Sequence, residues 1–313
     1  MVRYILRRVL VLIPTWFAIG ILAFFLIRLA PGDPAAIILG TEGLAGIEQV
    51  HQRLGLDRPL LVQLSGWLVN AARGDLGDSF FLGRSVSEAI LERIPVTLSL
   101  AFLSIGIAVI IGVPLGIAAA LRPNSARDTS IMGVSLLGLS LPEFFTGLIL
   151  IYVFSVALGW MPAGGYEPLS SGVVPWARHL LMPSFALGFL QSALIARMTR
   201  SSMLEVLNSD YVRTARAKGL WESRVVWKHA LRNAILPVVT VVGMVFALLL
   251  SGAFITEVLF RLPGAGNLII SAVKRRDYPI VQGGLLVFST AVLVINMVVD
   301  LLYVYIDPRI KYQ

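Results

Sequence analysis

Six stretches of this chain are too long and too apolar for a water-soluble fold: Val9 to Leu29, Thr97 to Leu121, Ile131 to Leu158, Leu180 to Arg197, Leu236 to Val258 and Gly283 to Ile306. A helix needs about 20 apolar residues to cross roughly 30 Å of hydrocarbon. Within lipid, every backbone N–H and C=O must find its partner inside the protein. The pattern therefore predicts an all-α integral membrane protein with six transmembrane helices. Composition agrees: 57% of residues are hydrophobic and 14% charged, against about 25% charged in soluble domains. The fourth stretch is the weakest, with Pro183 near its start and Gln191 inside it. In the third, "SLPEFFTG" predicts a tilt or kink at Pro142. The N-terminal run exceeds the roughly 7–15 residues of a signal peptide and lacks a small-x-small cleavage site. It reads as an uncleaved first span.

Six spans put both termini on one side of the membrane, and Lys/Arg counts choose the side. With the N-terminus inside, the inner segments hold 15 Lys/Arg and the outer segments 10, five of the latter in the long first outer loop. The expected topology is N-in/C-in. The organisation that follows is a cytoplasmic tail and first helix over 1–29 and an extracytoplasmic loop with short helices over 30–96. A core with five spans covers 97–306, and a cytoplasmic tail covers 307–313. In the first outer loop, "IEQVHQRLGL" and "RPLLVQLSGWLVNAARG" read as short amphipathic helices, "GDLGDSF" as a turn and "SVSEAILERIP" as a capped helix stopping before Pro95. The outer cluster Lys274, Arg275, Arg276 is an exception to the charge rule and is expected to form a re-entrant loop or to meet something acidic. The net charge of +8 belongs to inner loops facing lipid headgroups, not to nucleic-acid binding.

Between the fourth and fifth spans lies a basic segment, about 200–235. It reads as two helices. The first runs from about Ser201 to Lys218 and stops at Gly219, which can take a left-handed C-cap conformation. The second starts near Trp221. There Arg224, Lys228 and Arg232 share one face, and Trp227, Leu231 and Ile235 the next, as in an amphipathic helix lying along the membrane surface. Pro237 is expected to open the fifth span. Pattern alone leaves two readings, a topology signal that binds headgroups or a docking element for a soluble protein.

Ionisable and amide side chains at membrane depth are costly and often functional. Glu143, Gln191, Asn296 and Asp300 are the candidates here. They either line a translocation pathway or fix helix packing. There is no cysteine, so no thiolate metal site, and no GxxxxGK[ST] phosphate loop or HExxH pair. His51, His179 and His229 fall in three different loops. No catalytic constellation, metal site or cofactor site is expected in the chain itself.

The segment "YVRTARAKGL…HALRNAILP" resembles the cytoplasmic loop of permease subunits of binding-protein-dependent ABC importers. Gly219 and Ala215 match the general pattern, whereas Arg213 and Thr214 stand where Glu and Ala are usual. These departures resemble the dipeptide/oligopeptide/nickel subgroup, first permease type. "LIRLAPGDPA", "LPEFFTGLIL…LGWMPAGGY", "LMPSFALG…RMTRSSMLEVL", "LFRLPGAGNLIISAVKRRDYPIVQG" and "DLLYVYIDPRIKY" are similar to that subgroup in the same order. The resemblance implies a type I ABC importer permease fold in a bacterial or archaeal cytoplasmic membrane. It implies a second homologous permease, two ATPase subunits that hold ATP and Mg, and an extracytoplasmic substrate-binding protein. It implies that Arg213, Thr214, Ala215, Arg216, Ala217, Lys218, Gly219 and Leu220 form the coupling helix. Small Ala215 and Ala217 would admit the ATPase surface, and Arg213, Arg216 and Lys218 would meet its acids. Di- or oligopeptides are the first expectation for substrate, with nickel or its chelates, glutathione, opines and oligosaccharides as alternatives. An autonomous carrier or an intramembrane enzyme are the readings from other classes.

Overall fold

The computed structural model describes residues 2–28 and 57–306. The helix expected over "IEQVHQRLGL", His51 and the tail 307–313 lie outside the described residues. Apart from one isolated bridge between Asp78 and Ser85, every regular element among the described residues is helical. Besides a short 3-10 turn at Leu169–Ser171, in chain order they are α1 (Val2–Arg28), α2 (Leu60–Ala72), α3 (Val86–Leu91), α4 (Ile94–Ala120) and α5 (Ala126–Ser140). Then come α6 (Glu143–Ala157), α7 (Val173–Leu207), α8 (Asp210–Ala217), α9 (Glu222–Leu259), α10 (Ala265–Arg275) and α11 (Tyr278–Ile306).

Four described segments are long and apolar enough to cross a membrane: Val86–Ala120, α7, α9 and the stretch Tyr278–Val299 of α11. The pair α5 and α6 makes a fifth if it counts as one span. The 27 residues of α1 hold the first expected span. The kink expected at Pro142 is present, but it is a corner: the axes of α5 and α6 differ by 98°. Pro142 is the N-cap of α6, at φ −62° and ψ 138°. The third stretch is thus two short arms and not one tilted rod. The fourth and fifth spans are longer than expected. α7 runs 35 residues with Pro183 inside it. α9 runs 38 residues, so Pro237 lies within a helix and does not open one. Lipid-embedded helices tolerate such prolines because neighbouring groups re-satisfy the freed backbone.

The chain divides into two compact units. Of the described residues, the first comprises 2–28, 57–96 and 263–294. Its core joins α2, α3, α10 and the start of α11 through Val86, Ile90, Leu268, Ile280 and Leu286, with Trp16 of α1 and Trp67 of α2 packed against it. Ser85 caps α3 by accepting from Glu88 N at 3.2 Å, as the sequence predicts. The preceding turn is latched by Asp277, which is 2% exposed. Ser79 Oγ donates to its Oδ2 at 2.5 Å and Phe80 N to its Oδ1 at 3.2 Å.

Of the described residues, the second unit comprises 97–262 and 295–306. α7 packs most extensively against α9, and α4 lies backbone to backbone against α7. A Cβ added to Gly112 would lie 2.6 Å from Ser192 O, and one added to Gly116 would lie 2.5 Å from Ala196 O. Residues 112–116 read "GVPLG", a GxxxG face that lets two backbones touch. Small Ser192 and Ala196 recur at the same spacing on α7. The N-terminal end of α5 is pinned to α7 by an ion fork. Arg200 Nε and Nη2 donate to the two oxygens of Asp128, each at 2.6 Å, and Asn124 N donates to Oδ2 at 2.9 Å. The Asp128 residue is 3% exposed.

Replacing Gly112 by Leu is expected to push α4 off α7 at a cost of about 1–3 kcal/mol, the usual range for overpacking. Thermal unfolding of the purified chain in detergent reads this as a lowered Tm. Gly106→Ala is the control: nothing lies within 4 Å of the added methyl, and the Tm should stay at or above wild type.

Candidate functional site

The basic segment folds as a helix, a tight turn and the start of the next helix. α7 continues to Leu207, so the helix expected over 201–218 is two: Ser201 to Leu207 belongs to α7, and α8 is Asp210–Ala217. α8 ends in a Schellman turn. Gly219 N donates to Arg216 O at 2.9 Å and Leu220 N to Ala215 O at 3.4 Å. Gly219 sits at φ +74°, where a Cβ is costly and glycine is the usual choice. The stop expected from sequence is therefore made as expected.

One face of α8 is buried. Val212 and Ala215 enter a cluster with Ile117 and Ala120 of α4, Met203 and Leu207 of α7, and Val225, Val226, Ala230 and Ala234 of α9. Leu220 packs against the same cluster. Ala215 thus faces this internal cluster. Arg213, Thr214, Ala217 and Lys218 are exposed, and the Arg213 side chain is 70% exposed. Trp221, at the N-cap of α9, is 83% exposed.

Arg216 has a partner within the chain. Its Nη2 and Nε donate to the two oxygens of Glu222, at 2.6 and 3.1 Å. These hydrogen bonds hold its guanidinium further above its ordinary pKa. Asn233 Nδ2 donates to Tyr211 Oη at 2.7 Å and ties α8 to α9 a second time. The amphipathic stripe in α9 is also not the expected one. Trp227 is 60% exposed, whereas Val226, Ala230 and Ala234 are buried. Residues 225–230 form a π turn, which adds a residue per turn and rotates the face. The helix runs straight on into the fifth span instead of forming a separate surface helix. Arg224, Lys228 and Arg232 are exposed together, as expected.

The four pathway candidates are not brought together by any contact among the described residues. Glu143 is half-buried at the first position of α6, where the helix N-terminus favours a carboxylate. Its Oε2 faces Gly252 of α9, and Leu187 of α7 approaches the same glycine. Gln191 is half-buried one turn beyond Leu187 on α7. Asn296 is exposed on α11, and Asp300 is on the same helix, its side chain outside the described set. Sequence reasoning missed the buried acids Asp128 and Glu257. Glu257 is fully buried in the last turn of α9 and accepts from Thr97 Oγ1 at 2.5 Å. Position at the end of an apolar run gave no sign that this carboxylate is inside. His179 lies in α7 and His229 in the π turn of α9, so neither is in a loop. Lys274, Arg275 and Arg276 are exposed at the end of α10.

Two adjoining matches cover nearly the whole chain. Residues 1–101 match the N-terminal part of the binding-protein-dependent transport system membrane component, and residues 112–312 match the inner membrane component of the same systems. The di/tripeptide transport system permease protein of Pseudomonas aeruginosa (strain UCBPP-PA14) is 45% identical over 336 residues, covering 100% of both chains. The glutathione transport system permease protein of Escherichia coli O6:H1 is 45% identical over 314 residues, again covering 100% of both. Among solved structures, an inward-facing MetNI methionine ABC transporter chain superposes with a TM-score of 0.58 at 17% identity, over 70% of this chain and 96% of that one. That likeness concerns the fold.

The turn generates its own test. Arg216→Glu sets two carboxylates against each other. It should speed hydrogen exchange at the amides of Gly219 and Leu220, and Arg216→Glu with Glu222→Arg should restore protection. An exposed pair of this kind is worth up to about 1 kcal/mol, so the change should be at most about fivefold.

Proposed function

We propose that this chain, which belongs to the binding-protein-dependent transport system inner membrane component family, is one of two permeases of an ATP-driven importer of short peptides. It is the non-catalytic, multi-pass membrane subunit. ATP and Mg would be held by two ATPase subunits on the cytoplasmic side, and substrate would be delivered outside by a separate binding protein. The family match along the whole chain carries this reading. The named relatives support a peptide: one is called a di/tripeptide permease and one a glutathione permease. Both cargoes are short, with free amino and carboxylate groups, so glutathione is the second reading within the same chemistry.

The docking surface for an ATPase subunit is the outer face of α8 with its turn: Arg213, Thr214, Ala217, Lys218, Gly219 and Trp221. Of the three cations suited to acidic partners, Arg216 is engaged by Glu222 and Arg213 lies 3.6 Å from Asp210. Trp221 is a large exposed aromatic of the kind that anchors interfaces. Arg216, Ala215 and Leu220 support this surface from behind. Glu143 and Gln191, on the α6–α9 and α7 sides of the core, are the pathway residues retained, with Asn296 and Asp300 on α11 as further candidates.

The complex of both permeases, ATPases and binding protein, reconstituted in vesicles, should take up labelled trialanine only with ATP and be stopped by vanadate. Lys218→Glu combined with Trp221→Ala should leave the two permeases co-purifying but lower uptake at least about tenfold, as for loss of an interface anchor. Wild-type uptake by a double variant that retains its ATPases would remove α8 as the docking element.

A further inference from the structure

The loop between α6 and α7 borders an open pocket of about 680 Å³ that the importer reading leaves unused. The charge distribution puts this loop on the outer side. The loop is built, not slack. Trp160 N and Met161 N both donate to Phe154 O, at 2.9 and 3.2 Å, and Gly165 N donates to Phe260 O at 2.9 Å. Gly164 lies so close to Phe260 that a Cβ there would be 2.5 Å from its carbonyl oxygen. The volume is in the range of small-molecule sites, roughly 300–1,000 Å³.

The lining carries both signs of charge. Glu167 is on the loop side, and Arg178 and His179 are on the first turns of α7, with Val174 among the apolar walls. Opposite charges lining one cavity ordinarily pair, yet no ion pair joins Glu167 to Arg178 among the described residues. Arg178 is aimed by another contact: its Nη2 donates to Trp160 O at 2.9 Å. That leaves the rest of its five-donor fork open for a carboxylate. His179 Nδ1 donates to Pro175 O at 2.9 Å, so its Nε2 is uncommitted. An oriented guanidinium and a carboxylate that line one pocket without pairing to each other fit a ligand that carries both charges.

We infer that this cavity is an entry site for a zwitterionic short peptide, with Arg178 receiving its carboxylate and Glu167 its ammonium. The inference rests on the peptide-import reading and names a site for that cargo outside the membrane core. The test uses the complete reconstituted complex and trialanine presented on its binding protein. Three variants are compared: Glu167→Gln, Arg178→Gln, and Val174→Trp, which fills the cavity from a side chain that is 69% exposed and so leaves the core intact. Each should lower trialanine uptake about tenfold or more, as for one lost hydrogen bond to a charged group. Stimulation of ATP hydrolysis by loaded binding protein should stay within about twofold of wild type, as for a change that leaves docking contacts alone. Unchanged uptake in all three variants would overturn the inference while leaving the importer reading intact. Loss of the stimulation together with uptake would also overturn it, because the cavity would then serve the binding protein and not its cargo. If the wild-type complex takes up no trialanine, the peptide reading falls and this site falls with it.

Discussion

The backbone contact between α4 and α7 is the constraint on which the second unit depends. Lipid tails are as apolar as leucine, so helices in a membrane are not driven together by burial. They associate where shape allows close approach. Gly112 and Gly116 provide that approach against Ser192 and Ala196. Once α4 and α7 are fixed, their inner ends present Ile117, Ala120, Met203 and Leu207 side by side. α8 has a floor to rest on only because of this. Val212 and Ala215 are its footing, and the start of α9 closes the cluster from the third side. The short basic helix is thus packed onto three helix ends, not hung from a linker.

Charge is scarce in this protein, and most buried acids have a dedicated partner. Asp128 has the Arg200 fork, Asp277 has Ser79 and the Phe80 amide, and Glu257 has Thr97. A buried carboxylate without such partners costs several kcal/mol, or becomes protonated. Glu143 differs. It is half-buried, it starts a helix, and no side-chain hydrogen bond to it is made among the described residues. The helix N-terminus offsets part of its cost. That combination separates it from the structural acids and keeps it among the pathway candidates.

Much of the fold was legible because the membrane imposes a length. The apolar runs mark where helices long enough to cross can form, and local signals such as Ser85 with Glu88, or Gly219 after α8, mark where helices start and stop. What could not be read is where neighbours decide. Pro142 signals a break, but the 98° corner depends on what α5 and α6 pack against. Pro237 looks like a boundary and is not one, since tertiary contacts carry the helix through it. The α9 stripe was displaced by a π turn, for which the sequence offers no periodic signature. At the candidate site, the turn and the exposed cations were readable. The inward face of Ala215 and the Arg216–Glu222 fork were not. Both depend on which side of an eight-residue helix meets the rest of the protein.

The corner between α5 and α6 carries a consequence for motion. A straight rod that crosses a membrane can slide or tilt as one piece. Two arms meeting at a right angle behave as a crank. α5 is pinned at its far end by the Asp128–Arg200 fork, so a small rotation about that end sweeps the corner sideways through an arc. α6 would then be displaced along its own length, and Glu143, its first residue, would be carried farther than any atom at the pinned end. A segment shaped this way would convert a twist at one end of the bundle into translation in its interior.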